Sequence, residues 1–140
     1  MCGFAGIFGG DSKDKEQLMG KMINLVQHRG PDAINIKINE DSVLAHARLK
    51  IQDLSNNANQ PFVSESGNFE IIFNGEIYNF VELRKKLRGI YNFKTKSDTE
   101  VLVAAWQHWG VNCLQHLKGM FAFCVFDKRT KIVTLVRDRF

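Results

Sequence analysis

The sequence predicts a single α/β domain of the α+β type, with antiparallel strands stacked as sheets and helices packed outside them. Three observations carry this. Phe121-Ala122-Phe123-Cys124-Val125-Phe126 is apolar at every position, which suits a strand covered on both faces. Ile34, Ile36 and Ile38 alternate with Asn35 and Lys37, the period of a half-buried strand. Segments with strand character outnumber those with helical spacing, and several read as antiparallel pairs. At 140 residues the chain fits one domain and can bury one sizeable core.

In chain order, Cys2 to Phe8 reads as a short buried strand stopped by Gly9-Gly10-Asp11. A helix follows from about Asp14 to Gln27, with Leu18, Met22, Leu25 and Val26 expected on its apolar face. His28-Arg29-Gly30-Pro31-Asp32 ends it, because proline disfavours helical geometry in the residue before it. The isoleucine strand comes next, then a strand from Ser42 to Ala47 leading into Arg48. The polar, Asn-rich segment Asp53 to Pro61 reads as a loop. Phe69 to Phe73 reads as a strand ending at an Asn74-Gly75 turn. Helices are expected over Phe80 to Leu87, with Val81, Leu83 and Leu87 inward, and over Asp98 to Trp109. Ser97 or Asp98 caps the second, and Gly110 closes it. Phe121 to Phe126 pairs with Lys131 to Val136 across the turn Asp127-Lys128-Arg129-Thr130.

Composition excludes several classes of function. A formal charge of +4 is modest, and the cluster Arg84-Lys85-Lys86 with Arg88 reads as a solvated helix face rather than a nucleic-acid patch. No apolar run approaches the roughly 20 residues that span a membrane. Cys2, Cys113 and Cys124 form neither a disulfide framework nor a zinc site, which fits a reducing cytoplasm.

The chemistry gathers at strand ends. If Met1 is trimmed, Cys2 carries a thiol and a free α-amine on one carbon, so nucleophile and base share one residue. Arg48 offers a planar fork for a carboxylate, while Glu76 and Asp98 can accept from an ammonium group. The Asn74 amide and the Gly75 N–H could stabilise a tetrahedral oxyanion. Each also has a structural reading: a buried cysteine, a surface ion pair, a turn, a helix cap. Spacing alone does not bring them together.

Eight blocks carry a family resemblance, beginning with Met1-Cys2-Gly3, His28 to Asp32, Ala45 to Leu49 with Ile51, and Gln60-Pro61. They continue with Asn74 to Asn79, Ser97 to Glu100, Gly119 to Phe123, and Arg137 to Phe140. In this order the chain resembles the glutaminase domain of glutamine-dependent asparagine synthetases, a class II amidotransferase of the N-terminal-nucleophile hydrolases. The resemblance implies a four-layer α/β/β/α sandwich. It implies Cys2 as nucleophile with its own α-amine as base, Asn74 and Gly75 as oxyanion hole, Arg48 on the glutamine α-carboxylate, and Glu76 and Asp98 around its α-ammonium.

The implied partners are glutamine and a C-terminal synthetase domain, with no nucleic acid and no membrane; homo-oligomerisation stays open. No metal or cofactor is implied for the glutaminase half, since ATP and Mg would serve only the synthetase domain, which residues 1–140 do not contain. In the family, further strands follow the Arg137 to Phe140 block, so the expectation is an incomplete glutaminase domain. Two other readings stand beside it: a catalytically silent fragment that binds ligand or partner, and a glutaminase half serving another acceptor.

Overall fold

A computed structural model describes residues 1–10 and 14–139. The chain runs β1 (Gly3–Phe8), α1 (Lys15–Val26), β2 (Ala33–Ile38), β3 (Ser42–Arg48), β4 (Phe62–Val63) and β5 (Phe69–Ile77). It continues through α2 (Phe80–Leu87), α3 (Asp98–Trp109), β6 (Gly119–Asp127) and β7 (Ile132–Arg137). Strands pair antiparallel in two sheets, one ordered β1-β3-β2 and the other β4-β5-β6-β7. Asp11 of the expected strand stop and Phe140 of the last block lie outside the described residues.

Strand alternation builds the four layers. On β3, Val43, Ala45 and Ala47 point to α1, where they meet Met19 and Ile23. Leu44 points the other way and packs between the sheets with Ile72 and Cys124. On the second sheet Ile71, Phe73, Phe123 and Val125 face α2 and α3 in the largest core cluster. The order is therefore α1, sheet, sheet, α2 with α3, the four-layer sandwich. The strand over Phe121 to Phe126 is covered on both faces as expected: Phe123 and Val125 meet the helices, while Cys124 and Phe126 meet the other sheet.

Several expectations need correction. In α1 the buried residues are Met19 and Ile23, with Met22 and Val26 flanking them; Leu18 and Leu25 are exposed. The alternation in β2 is real, but Ile34, Ile36 and Ile38 are its exposed side. They point toward the α1 layer, yet α1 packs on β1 and β3 and leaves this edge strand largely uncovered. Val81 of α2 is also exposed, whereas Leu83 and Leu87 are buried. Arg84 is no solvated charge: it donates to the carbonyls of Thr95 at 2.8 Å and Ser97 at 3.1 Å and stacks over Phe93. Most important for the site, Asn74-Gly75 is not a turn, because β5 runs on through both residues to Ile77.

Candidate active site

Cys2 enters the site because β1 pairs with β3. The pair Gly3–Ala47 brings Cys2 beside Arg48 and Leu49. The Leu49 N–H donates to the Cys2 sulfur at 3.3 Å. On the other side Arg29 Nε donates to the Cys2 carbonyl at 3.0 Å and fixes its backbone. The turn carrying Arg29 can approach only because Gly30 lacks a side chain: a Cβ there would lie 2.1 Å from the Ala47 carbonyl oxygen. Asp32 completes the join, its N–H donating to the Arg48 carbonyl and its carboxylate accepting from the Lys50 N–H. The segment His28 to Asp32 thus does more than end a helix.

Arg48 is 5% exposed and organises the loop after β3. Nη1 donates to the Ser55 carbonyl at 2.8 Å and to Asn59 Oδ1 at 2.7 Å, and Nη2 donates to the Asp53 carbonyl. A guanidinium has five N–H donors in a rigid fork. Three are committed to this loop, which leaves Nε–H and one Nη2–H uncommitted to it. Burial pulls the Arg48 pKa down, opposed chiefly by the Asp53 carboxylate. The Asp53 carboxylate is held below its usual range, first by its bond with Ser55 and then by the Lys96 N–H.

The opposite wall is the end of β5 with the start of α3. Residue 75 must be glycine: its φ is +151°, and a Cβ would lie 2.1 Å from the Met120 carbonyl oxygen on β6. Asn74 points between the sheets, and its Oδ1 is buried without a partner among the described residues. Ser97 caps α3, its side chain accepting from the Glu100 N–H at 3.2 Å. Asp98 is thereby placed in the first turn, where its Oδ2 accepts the Ile77 N–H at 3.0 Å. Burial raises the Asp98 pKa; the nearby Glu76 charge adds to this, and backbone N–H bonds oppose it.

One pocket collects all six residues singled out in the sequence: Cys2, Arg48, Asn74, Gly75, Glu76 and Asp98. Met1, Gln60, Thr99 and Met120 line it as well. Residue-by-residue reading missed Arg29, Asn59 and Gln60 as contributors. Arg29 and Gln60 did fall in family blocks, which was a usable signal. Asn59 gave none beyond its place in an Asn-rich loop. In chemical terms the pocket gathers a thiol, a guanidinium, two carboxylates, a side-chain amide and a glycine backbone around one small volume.

Comparison with known proteins gives the relationship. The family model for the glutamine amidotransferase domain matches residues 1–140. Asparagine synthetase [glutamine-hydrolyzing] 1 of Bacillus subtilis is 40% identical, covering 100% of this chain and 23% of that protein. Amidase chry2 of Gibberella zeae is 35% identical, covering 96% of this chain and 20% of its own length. The chain therefore spans less than a quarter of these two relatives. Among solved structures, the glutamine phosphoribosylpyrophosphate amidotransferase of B. subtilis has the same fold, with a TM-score of 0.78 at 22% identity over 99% of this chain and 37% of that one. The chain belongs to the glutamine amidotransferase domain family, and this is the domain it shares with glutamine-hydrolysing asparagine synthetases.

Proposed function

We propose that this chain hydrolyses the side-chain amide of glutamine, using Cys2 freed by removal of Met1. The observation that carries the reading is the convergence of the Cys2 thiol, the open edge of the Arg48 fork and the Glu76–Asp98 carboxylates in one pocket. Their chemistry matches the three parts of an amino acid with a side-chain amide. While Met1 is attached, the Cys2 nitrogen is an amide and cannot act as a base. Once Met1 is removed, it is an amine with a reference pKa of about 7.7–8.0, suited to work near neutrality.

The α-amine takes the thiol proton, and the sulfur attacks the carboxamide carbon. The developing oxyanion accepts from the Gly75 N–H and the Asn74 side-chain amide, donors each worth about 3–4 kcal/mol in such a role. Collapse of the intermediate breaks the C–N bond, and the proton held on the α-amine passes to the leaving nitrogen, giving ammonia. Water then attacks the γ-glutamyl thioester; glutamate leaves and the thiol is restored. Arg48 holds the α-carboxylate, and Glu76 and Asp98 hold the α-ammonium. The Leu49 N–H, 3.3 Å from the sulfur, helps to hold it in place. This half-reaction needs no metal or organic cofactor.

The ammonia acceptor belongs to a synthetase domain outside these residues. The relative named asparagine synthetase favours asparagine formation there. The test is glutamate release from L-glutamine by the processed chain beside Cys2→Ala. Release is expected from the first and not the second. Equal release from both would remove Cys2 from the mechanism, and no release from the processed chain would leave it a binding module.

A further inference from the structure

We propose that Gln60 and His46 are positioning residues, acting as side-chain rungs that hold the Phe73 peptide where β4 stops and so keep the Gly75 N–H open to substrate. This rests on the glutamine-hydrolysis reading and adds to it two residues that act through the Phe73 backbone rather than on the reacting atoms.

In an antiparallel strand the N–H and C=O of one residue point to the same edge, and alternate residues share that edge. β4 pairs with β5 only at Phe62–Ile71 and Val63–Glu70, so the edge carrying Ile71, Phe73, Gly75 and Ile77 loses its strand partner after Ile71. Side chains take over. The Phe73 N–H donates to Gln60 Oε1 at 2.6 Å, and the Phe73 carbonyl accepts from His46 Nε2 at 3.0 Å. Beyond Gly75, the Ile77 N–H donates to Asp98 Oδ2 at 3.0 Å. Gly75 sits between two side-chain rungs on an edge that a longer β4 would have covered. A continued strand would take the Gly75 N–H; discrete side chains steady the edge and leave it available.

The same rungs tie the site walls together. His46 lies two residues before Arg48 on the same face of β3, so its bond to Phe73 sets the carboxylate grip relative to the oxyanion donors. Gln60 Nε2 donates to Thr99 Oγ1 at 3.3 Å, next to Asp98 at the start of α3. Gln60 is 4% exposed and His46 is fully buried, so water cannot replace either bond cheaply. A carbonyl only accepts, so His46 must carry its hydrogen on Nε2, and burial keeps the ring neutral.

The experiment uses the full chain with Met1 removed and compares Gln60→Met, His46→Leu and His46→Gln. The first two delete a rung at similar volume; the third restores an Nε2 donor at similar reach. Gln60→Met and His46→Leu should lower kcat for glutamine by about tenfold or more with KM changed less than about threefold, because the carboxylate and ammonium grips remain. His46→Gln should stay within about threefold of the parent, and iodoacetamide should alkylate Cys2 in all variants at the parent rate. An unchanged kcat in the rung deletions, or a loss in His46→Gln equal to that in His46→Leu, overturns the proposal. Amide hydrogen exchange separates this from failure of the functional reading. In the parent the Phe73 amide should be protected and the Gly75 amide not, and Gln60→Met should speed Phe73 exchange by about tenfold or more. Should the parent release no glutamate, glutamine hydrolysis fails while exchange still judges the rungs: a protected Gly75, or unchanged Phe73 exchange in Gln60→Met, overturns them.

Discussion

Acid should unfold this protein partly through one residue, His46. Its pKa falls from 6.5 to about 4, chiefly because burial disfavours the charged ring; the bond to the Phe73 carbonyl opposes this, and the Arg48 charge adds to it. Between about pH 4 and 6.5 the unfolded chain therefore binds the proton and the folded chain does not. The stability held above pH 6.5 is lost as pH falls through this window, and the loss levels off below about pH 4. At about 1.4 kcal/mol per pH unit, a gap of about 2.5 units corresponds to roughly 3 kcal/mol. The perturbation is His46→Gln, which does not titrate, and the assay is urea unfolding of both proteins at steps from pH 7 to 4. All other groups cancel in the difference, which should shift by about 3 kcal/mol against the parent on acidification. A difference that stays flat across the window would refute a buried neutral His46.

Two further substitutions probe the pocket walls. Arg48→Lys removes the planar fork and takes the guanidinium donors from the carbonyls of Asp53 and Ser55, so KM for glutamine should rise about tenfold or more, with kcat less affected and a lower melting temperature; an unchanged KM in steady-state assays would contradict the carboxylate grip. Gly75→Ala forces a Cβ against the Met120 carbonyl at a backbone angle that L-residues rarely adopt, so denaturant unfolding should show a loss of about 2 kcal/mol or more together with lost turnover, and near-parent stability would count against the strand geometry.

Much of this was legible in the sequence because local rules and tertiary packing agree. Ser97 before Asp98 and Gly110 after Trp109 bound α3 as the capping rules require, and the all-apolar strand ending at Phe126 lies between two layers. The errors share one cause: local pattern does not say what lies opposite. Alternation in β2 was readable, but whether α1 reaches Ile34, Ile36 and Ile38 depends on where that single helix sits. Leu18 and Leu25 have the right spacing for a core face, yet Met19 and Ile23 define the face that meets β3. Asn74-Gly75 has turn composition, but here the glycine serves close approach to β6 inside a strand. The chemistry of the six pocket residues and their family blocks are legible in the sequence, while their convergence is a property of the fold. Gln60 and Asn59 matter through a peptide and a guanidinium distant in sequence, which no local spacing encodes.

The central claim is that Cys2 works as nucleophile and base only as the first residue. Its most direct test is one protein carrying a cleavable N-terminal extension, assayed for glutamate release before and after the extension is cut to expose Cys2. Turnover absent before cleavage and present after it is the predicted result. Equal turnover in both states would contradict an α-amine base and the mechanism built on it.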